Sequence, residues 1–166
     1  MTKGTIQLHT KHLFLRPFVI EDYESSYHNW LKQEEVFQYM DMEPLHTLEE
    51  SKTYIFSKLK YYHNQYFYDW CIEETFSKEV IGEINAVRTK DKKGISIGYC
   101  LGKEYWKKGY MKESFEVMIP YFFKECGYTY IEADCVEENK ASIQLVIHFI
   151  FKQISKTTYQ LSNSDI

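Results

Sequence analysis

Residues 97–113 read IGYCLGKEYWKKGYMKE, and this stretch carries the strongest structural signal in the chain. Strand-like residues lead to Leu101, a short basic loop containing Gly109 follows, and helical spacing of apolar residues begins at Met111. A loop that runs into a helix start presents N–H groups without intrahelical partners, and the helix dipole favours an anion there. The stretch therefore predicts either a phosphate-binding loop or a plain strand-to-helix connection with solvated lysines.

The part of the chain before this stretch begins with a strand and continues with helices. Alternating or helical spacing predicts one strand and then two helices, over residues 12–18, 20–32 and 34–40. Thr47 and Glu50 have the spacing of a capping box, so a longer helix is expected from Thr47 to about Asn64. Three strands should follow it, over residues 68–73, 79–88 and 95–101.

Helices and strands alternate after the loop. A helix is expected from Met111 to Glu125, and Gly127 is placed to end it in the left-handed conformation. The remaining predicted elements are a strand, a last helix and a short strand pair, over residues 129–136, 139–149 and 151–161. Counting the short helix 34–40 with the first helix and the final strand pair as one element, the order is β-α-α-β-β-β-α-β-α-β. This order predicts an α/β fold with a mixed sheet, and 166 residues suit one domain over residues 1–166.

Composition and charge argue against several classes of protein. The net charge of −4 does not suggest a nucleic-acid partner, and the longest apolar run, residues 145–151, is too short to cross a membrane. The four cysteines form no CxxC pair and have no histidine at zinc-like spacing, so no metal site is predicted. Because no signal peptide is recognisable at the N-terminus, we expect a cytoplasmic protein.

Four segments resemble motifs of the GNAT-type N-acetyltransferases and occur in the order of that family. They are the L-x-L-R-P strand at Leu13–Phe18, the V-I-G-x-I strand at Val80–Ile84, the pyrophosphate loop at Tyr105–Glu113 and the E-N-x-A-S helix start at Glu138–Ser142. The resemblance is to the branch that acetylates the N-terminal amines of ribosomal proteins. It implies a GNAT-like sheet, mixed but mostly antiparallel, with helices on its flanks.

The loop departs from the pattern of this branch at two positions. Trp106 opens the loop, as it often does in the branch, but Lys107 follows it where the branch usually has glycine. Met111 replaces a small alanine or glycine beside the expected pyrophosphate site, where its flexible side chain must find room.

The last helix departs further, because Ile147, His148 and Ile150 replace the Glu, Lys and Gly of the family pattern. A β-branched residue resists the positive φ of a glycine stop. We therefore expect this helix to run on or fray near residues 148–151. The tail that follows is too short for the full final hairpin of the family, which predicts a shortened C-terminal edge of the sheet.

Acetyl-CoA is the co-substrate that the resemblance implies, with Gly109 at the closest approach to its pyrophosphate. The implied contacts come from a strand end, the loop and the last helix, namely Tyr99, Cys100, Leu101, Trp106, Lys107, Lys108, Gly109, Tyr110, Met111, Lys112 and Asn139. A free backbone N–H group near Cys100 or Leu101 is the implied oxyanion donor. In the family, the residue corresponding to Asn139 also steadies the coenzyme or the substrate, and here it can equally be a helix N-cap.

Acetyl transfer to an amine requires that the ammonium lose a proton and that the departing thiolate gain one. The resemblance implies Ser142 as the acid, although a capping hydroxyl is the alternative role for this residue. Candidate bases are Glu83, Glu132 and Asp134, and an ordered water is the alternative to all three.

The acceptor cleft is expected beside the first helices, where Trp30 and Tyr39 are candidate substrate contacts together with Glu83 on the central strand. The predicted acceptor is a protein or peptide N-terminal α-amine, which attacks the thioester directly. Two alternatives stay open: an enzyme for a small amine such as a polyamine, amino acid or aminoglycoside, and a catalytically impaired acyl-CoA-binding protein. A monomer and a homodimer are both compatible with the sequence.

Overall fold

One eight-stranded sheet forms the centre of the computed structural model, which describes residues 3–166. The strands are β1 Leu8–His9, β2 Leu13–Arg16, β3 Tyr68–Glu74, β4 Val80–Arg88, β5 Gly94–Leu101, β6 Tyr130–Asp134, β7 Lys152–Gln153 and β8 Thr158–Ser162. Their order across the sheet is β1-β2-β3-β4-β5-β6-β8-β7, and every neighbouring pair is antiparallel except β5 with β6. The predicted mixed, mostly antiparallel sheet is confirmed.

The α-helices of the described residues lie on both sides of this sheet. They are α1 Tyr23–Ser26, α2 Glu34–Phe37, α3 Leu48–Leu59, α4 Tyr110–Pro120 and α5 Lys140–His148. Short 3₁₀ and π turns at residues 20–22 and 27–31 extend α1, so the helix predicted over residues 20–32 is present as one irregular segment. None of the helices within residues 3–166 has the length and apolar character needed to cross a membrane.

Local sequence signals set several helix ends as predicted. Thr47 Oγ1 accepts from the Glu50 N–H at 3.1 Å, and Glu50 Oε2 accepts from the Thr47 N–H at 3.2 Å, which completes the capping box of α3. Beyond α4 the chain continues as a π turn over Tyr121–Glu125, because Pro120 has no N–H to continue the α-helical ladder. Gly127 then reverses the chain with a φ of 76°.

The end of α5 differs from the expectation. Ile150 adopts a φ of 59°, its N–H donates to Ile147 O at 2.9 Å, and the Phe151 N–H donates to Val146 O at 3.0 Å. These two bonds form a Schellman motif, so the prediction that the helix lacks a left-handed stop is wrong. The Phe151 side chain is buried beside Phe115, and this burial offsets the strain of a β-branched residue at positive φ.

The final hairpin is present with a short outer strand. β8 pairs with β6 along residues 158–162, whereas β7 contributes only Lys152 and Gln153. The strand at the C-terminal edge of the sheet is therefore only two residues long.

The sheet opens between β5 and β6, and this opening positions the candidate site. The two strands pair only from Gly94 with Tyr130 to Ile97 with Ala133, while β5 continues to Leu101 beside β4. Side chains alternate along the free end of β5, so Tyr99 packs on the core of the α4 and α5 side and Cys100 on the core of the α1 to α3 side.

Candidate active site

A cavity of about 600 Å³ occupies the opening between the end of β5, the start of α4, the start of α5 and the segment around α2. Its wall includes most of the residues assigned to acetyl-CoA from the sequence, namely Tyr99, Cys100, Leu101, Trp106, Lys107, Gly109, Tyr110, Met111, Lys112 and Asn139. Lys108 is not part of this wall, and its ammonium lies 5.2 Å from the centre of the Tyr105 ring.

The N-terminus of α4 faces this cavity without a side-chain cap. Gly109 is its N-cap residue with a φ of 77°, and the first helical bond of α4 joins the Glu113 N–H to Gly109 O at 2.9 Å. The N–H groups of Tyr110, Met111 and Lys112 therefore precede the hydrogen-bond ladder of the helix. A Cβ built on Gly109 would meet nothing within 4 Å, so the space in front of the helix is open. This arrangement suits a phosphate group.

Lys107 takes over the conformation expected of glycine at its position. Its φ is 61°, in the left-handed region that glycine enters at least cost. The loop thus contains two residues in the left-handed conformation, Lys107 and Gly109, although only one of them is glycine.

Leu101 and Tyr99 are the residues whose N–H groups face the opening. The Gly102 N–H donates to Ile81 O at 2.8 Å, and paired residues of antiparallel strands alternate in the direction of their N–H groups. The Cys100 N–H consequently points toward β4, and the N–H groups of Tyr99 and Leu101 point away from it. The Trp106 indole N–H caps Leu101 O on that same side at 2.8 Å. Leu101 thus becomes the candidate oxyanion donor, in preference to Cys100.

Ser142 lines the cavity at the first turn of α5. Asn139 Oδ1 accepts from the Ser142 N–H at 3.3 Å, which makes Asn139 the N-cap of this helix as well as part of the cavity wall. Ser142 Oγ lies 2.6 Å from the Tyr99 hydroxyl and 3.1 Å from Cys135 Sγ. The contact with Cys135 was not anticipated from the sequence.

Glu83 belongs to a buried network behind the cavity wall. It pairs with Cys100 across β4 and β5, accepts from the Tyr54 hydroxyl at 2.6 Å and forms an ion pair with Lys58. The same ammonium lies 2.6 Å from Asp69 Oδ2. Burial would lower the pKa of Lys58, but the two carboxylates raise it overall. Glu83 therefore has a cation and a hydroxyl already bound to its oxygens.

Lys58 was missed by the sequence interpretation, although a signal for it exists. It lies four residues after Tyr54 on α3, so both side chains share one helix face. The spacing of Tyr54, Ile55, Leu59 and Tyr62 predicts that this face is buried, and a lysine on a buried face indicates a carboxylate partner.

The other candidate bases lie away from the cavity. Glu132 accepts from Gln160 at 2.9 Å, and Asp134 accepts from Thr158 Oγ1 at 2.7 Å, both across the β6 and β8 pair. The geometry thus does not bring Glu132 or Asp134 together with Ser142.

The two aromatic candidates for substrate contact lie in different environments. Tyr39 is 41% exposed and lines the cavity. Trp30 is fully buried against Phe37 and Tyr54, so it can support the wall but does not reach the open space in this structure. Met40, which follows Tyr39 along the same wall, was not recognised from the sequence.

The fold and the cavity define an acyltransferase of known type. A model of the acetyltransferase (GNAT) domain matches residues 12–151, and the chain therefore belongs to the GNAT acetyltransferase family.

Individual relatives agree with this assignment. The chain is 28% identical to the uncharacterized N-acetyltransferase YoaA of Bacillus subtilis over 148 residues, which cover 88% of this chain and 82% of YoaA. Its structure resembles a putative ribosomal-protein-serine acetyltransferase from Vibrio cholerae, with a TM-score of 0.81, 20% identity and coverage of 98% and 99% of the two chains. It also resembles RimL, a ribosomal L7/L12 alpha-N-protein acetyltransferase in complex with coenzyme A, with a TM-score of 0.79, 16% identity and coverage of 95% and 98%.

Proposed function

We propose that this N-acetyltransferase takes its acetyl group from acetyl-CoA and transfers it to a protein or peptide N-terminal α-amine. The observation that carries the proposal is the uncapped N-terminus of α4, which opens into the same cavity as the Ser142 hydroxyl. N–H groups that can bind a phosphate and an acid for the thiolate therefore face the same cavity. The fold shared with a coenzyme A complex supports this use of the cavity.

The pyrophosphate of acetyl-CoA is proposed to bind the N–H groups of residues 110–112, with Lys107 and Lys112 at the cavity wall supplying positive charge. Gly109 keeps the approach to these groups open. Asn139 and the end of β5 at Tyr99 are then proposed to lie on either side of the part of acetyl-CoA that carries the acetyl group. Because most of the binding groups belong to the backbone, affinity should depend little on any single lysine.

The amine is proposed to attack the thioester carbonyl carbon directly at the end of β5. The oxygen that becomes negative in the tetrahedral intermediate accepts from the Leu101 N–H. The C–S bond then breaks, its electron pair stays on the sulfur, and the sulfur receives the proton of Ser142.

The proton that the attacking amine releases is proposed to pass first to water in the cavity. Glu83 can accept this proton only from the water and not directly from the amine, because its oxygens are already bonded to Tyr54 and Lys58. An α-amine has a reference pKa of about 8, compared with about 10.4 for a lysine side chain, so it needs less assistance from a base.

The charges around α2 favour an acceptor with one amine over a polyamine. The cavity wall here consists of apolar and aromatic side chains, Val36, Tyr39 and Met40, together with the amide of Gln38 and one carboxylate, Glu35. Glu35 is paired with Lys103 at 2.9 Å. A second ammonium on a polyamine or an aminoglycoside would therefore compete with Lys103 for its partner, whereas an N-terminal residue can place its side chain against the apolar wall.

Acetyl-CoA consumption with a panel of amines tests the proposal. The panel contains peptides with a free N-terminus and no lysine, the same peptides with a blocked N-terminus, a blocked peptide with one lysine, spermidine and an aminoglycoside. We expect turnover with the free N-terminus and loss of it on blocking, with the product confirmed by mass spectrometry. Turnover confined to spermidine or the aminoglycoside would assign a small-amine acceptor. Acetyl-CoA binding without turnover of any amine would indicate an impaired acyl-CoA-binding protein.

A further inference from the structure

Tyr99 on β5 and Ser142 on α5 meet across the opening of the sheet. Their oxygens are 2.6 Å apart, and Cys135 at the end of β6 completes a cluster of three groups. The sulfur of Cys135 lies 3.1 Å from Ser142 Oγ and 3.9 Å from the Tyr99 oxygen. Ser142 is thus the central member of the cluster, and Tyr99 also lines the cavity.

One arrangement of the three protons fits these distances and leaves the Ser142 proton free for the cavity. Tyr99 has one proton, and Ser142 Oγ is a far closer acceptor for it than the sulfur of Cys135. Burial raises the pKa of both Tyr99 and Cys135, so each stays protonated and can donate. A serine hydroxyl has two acceptor sites and one proton. With Tyr99 and Cys135 at the acceptor sites, the Ser142 proton takes the remaining direction, outside the cluster.

We propose that Tyr99 is a positioning residue for Ser142, and that its hydroxyl holds the Ser142 O–H toward the sulfur of the departing coenzyme A. This inference rests on the proposed function, in which Ser142 serves that sulfur. A hydroxyl that accepts a hydrogen bond is also a better donor, because neighbouring bonds polarise one another.

The proton balance assigns no transfer to Tyr99. When the C–S bond breaks, the electron pair stays on the sulfur, and Ser142 passes its proton there. Water returns a proton to Ser142, and this water carries the one released by the attacking amine. Tyr99 keeps its own proton throughout, since burial makes a phenolate costly at this position.

Tyr99→Phe removes the hydroxyl and keeps the ring, which packs edge-on against Phe115 at 5.0 Å between ring centres. We expect kcat to fall about tenfold, the effect of one lost hydrogen bond, while KM for acetyl-CoA changes less than about twofold. In the background of Ser142→Ala, the same change should have no further effect on kcat. Tyr128→Phe is the matched control, because it removes a buried bond to the Tyr68 hydroxyl, remote from the cavity wall.

A second measurement does not depend on the acceptor. The thiol of bound coenzyme A is titrated by the ultraviolet absorbance of its thiolate, in the wild type, Tyr99→Phe and Ser142→Ala. Donation from Ser142 should lower the pKa of this thiol in the wild type, Ser142→Ala should raise it, and Tyr99→Phe should give an intermediate value.

The outcomes separate the two proposals. Wild-type kcat and wild-type thiol titration in Tyr99→Phe overturn the positioning role, as does full additivity of the two variants. If coenzyme A binds and its thiol titrates as expected but no amine is acetylated, the proposed function fails and the positioning role stands. If coenzyme A does not bind, both are overturned.

Discussion

Asp69 and Glu83, on the neighbouring strands β3 and β4, share a single ammonium, that of Lys58. Asp69 Oδ1 is buried and has no hydrogen-bond partner among residues 3–166. Two ionised carboxylates around one ammonium would leave a net negative charge in the interior. A proton held on Asp69 removes this charge, and burial followed by the charge of Glu83 raises the pKa of Asp69 well above its usual range.

The first prediction concerns the pH dependence of stability. The pKa of Asp69 is higher in the folded state than in the unfolded state. The stabilisation that its proton contributes is therefore fully present below about pH 4, and it is lost as the pH rises through the pKa of the folded state. Asp69→Asn should remove this slope and cost less than about 1 kcal/mol, since an amide replaces a protonated carboxyl. Urea unfolding across this range measures both quantities, with Asp134→Asn on the exposed end of β6 as control. A wild-type slope in Asp69→Asn would show that Asp69 is ionised.

Removal of the cation should have a much larger effect than replacement of the Asp69 carboxyl group. Lys58→Met keeps the length of the side chain but leaves Glu83 and Asp69 without their shared partner. We expect a loss of roughly 3 kcal/mol or more in the free energy of unfolding at neutral pH. Lys60→Met, one residue past the end of α3, is the control for loss of charge. Equal unfolding midpoints for the two variants would show that the Lys58 ammonium does not stabilise the fold through Glu83 and Asp69.

Ile150 should be replaceable with a gain in stability. Its φ of 59° costs a β-branched residue on the order of 1–2 kcal/mol, and glycine avoids this cost while losing about 0.5–1 kcal/mol in chain entropy. Ile150→Gly should therefore stabilise the protein by about 0.5–1 kcal/mol. Ile147→Gly, within α5, should destabilise it by a similar amount. A lower melting temperature for Ile150→Gly would mean that the exposed isoleucine side chain makes a stabilising contact that outweighs the strain.

Ser142 is expected to affect turnover far more than binding. Ser142→Ala removes the proposed acid and should lower kcat about a hundredfold or more, while calorimetry should give nearly unchanged acetyl-CoA affinity. Asn139 continues to cap α5 in this variant, because the bond it makes is to the Ser142 backbone N–H. An unchanged kcat would remove Ser142 from the mechanism and leave it a structural hydroxyl.

Features encoded by neighbouring residues were predictable from the sequence. The capping box of Thr47 and Glu50 and the left-handed stop at Gly127 each depend on a few adjacent positions, and both are present. Ile150 shows the limit of this reasoning. Its own preference opposes the observed backbone, and the outcome depends on Phe151, which packs into the core formed by distant parts of the chain.

The candidate site was predictable in its elements but only partly in its contacts. Motif resemblance placed Ser142 and the loop around Gly109 on the same cavity, as the structure does. The bond between Tyr99 and Ser142 joins residues 43 positions apart, and the contact between Lys58 and Glu83 joins residues 25 positions apart. Periodicity gives the face of a strand or helix but not its partner across the fold, so these pairings required the structure.

The central claim is that acetyl-CoA binds through the N-terminus of α4, and calorimetry of acetyl-CoA binding to Gly109→Val tests it most directly. Valine at a φ of 77° strains the turn and fills the open space before the helix, so affinity should fall more than about tenfold. Lys107→Ala, Lys108→Ala and Lys112→Ala should each weaken binding only modestly, and less at high salt. Wild-type affinity in Gly109→Val, with the fold intact, would contradict the account.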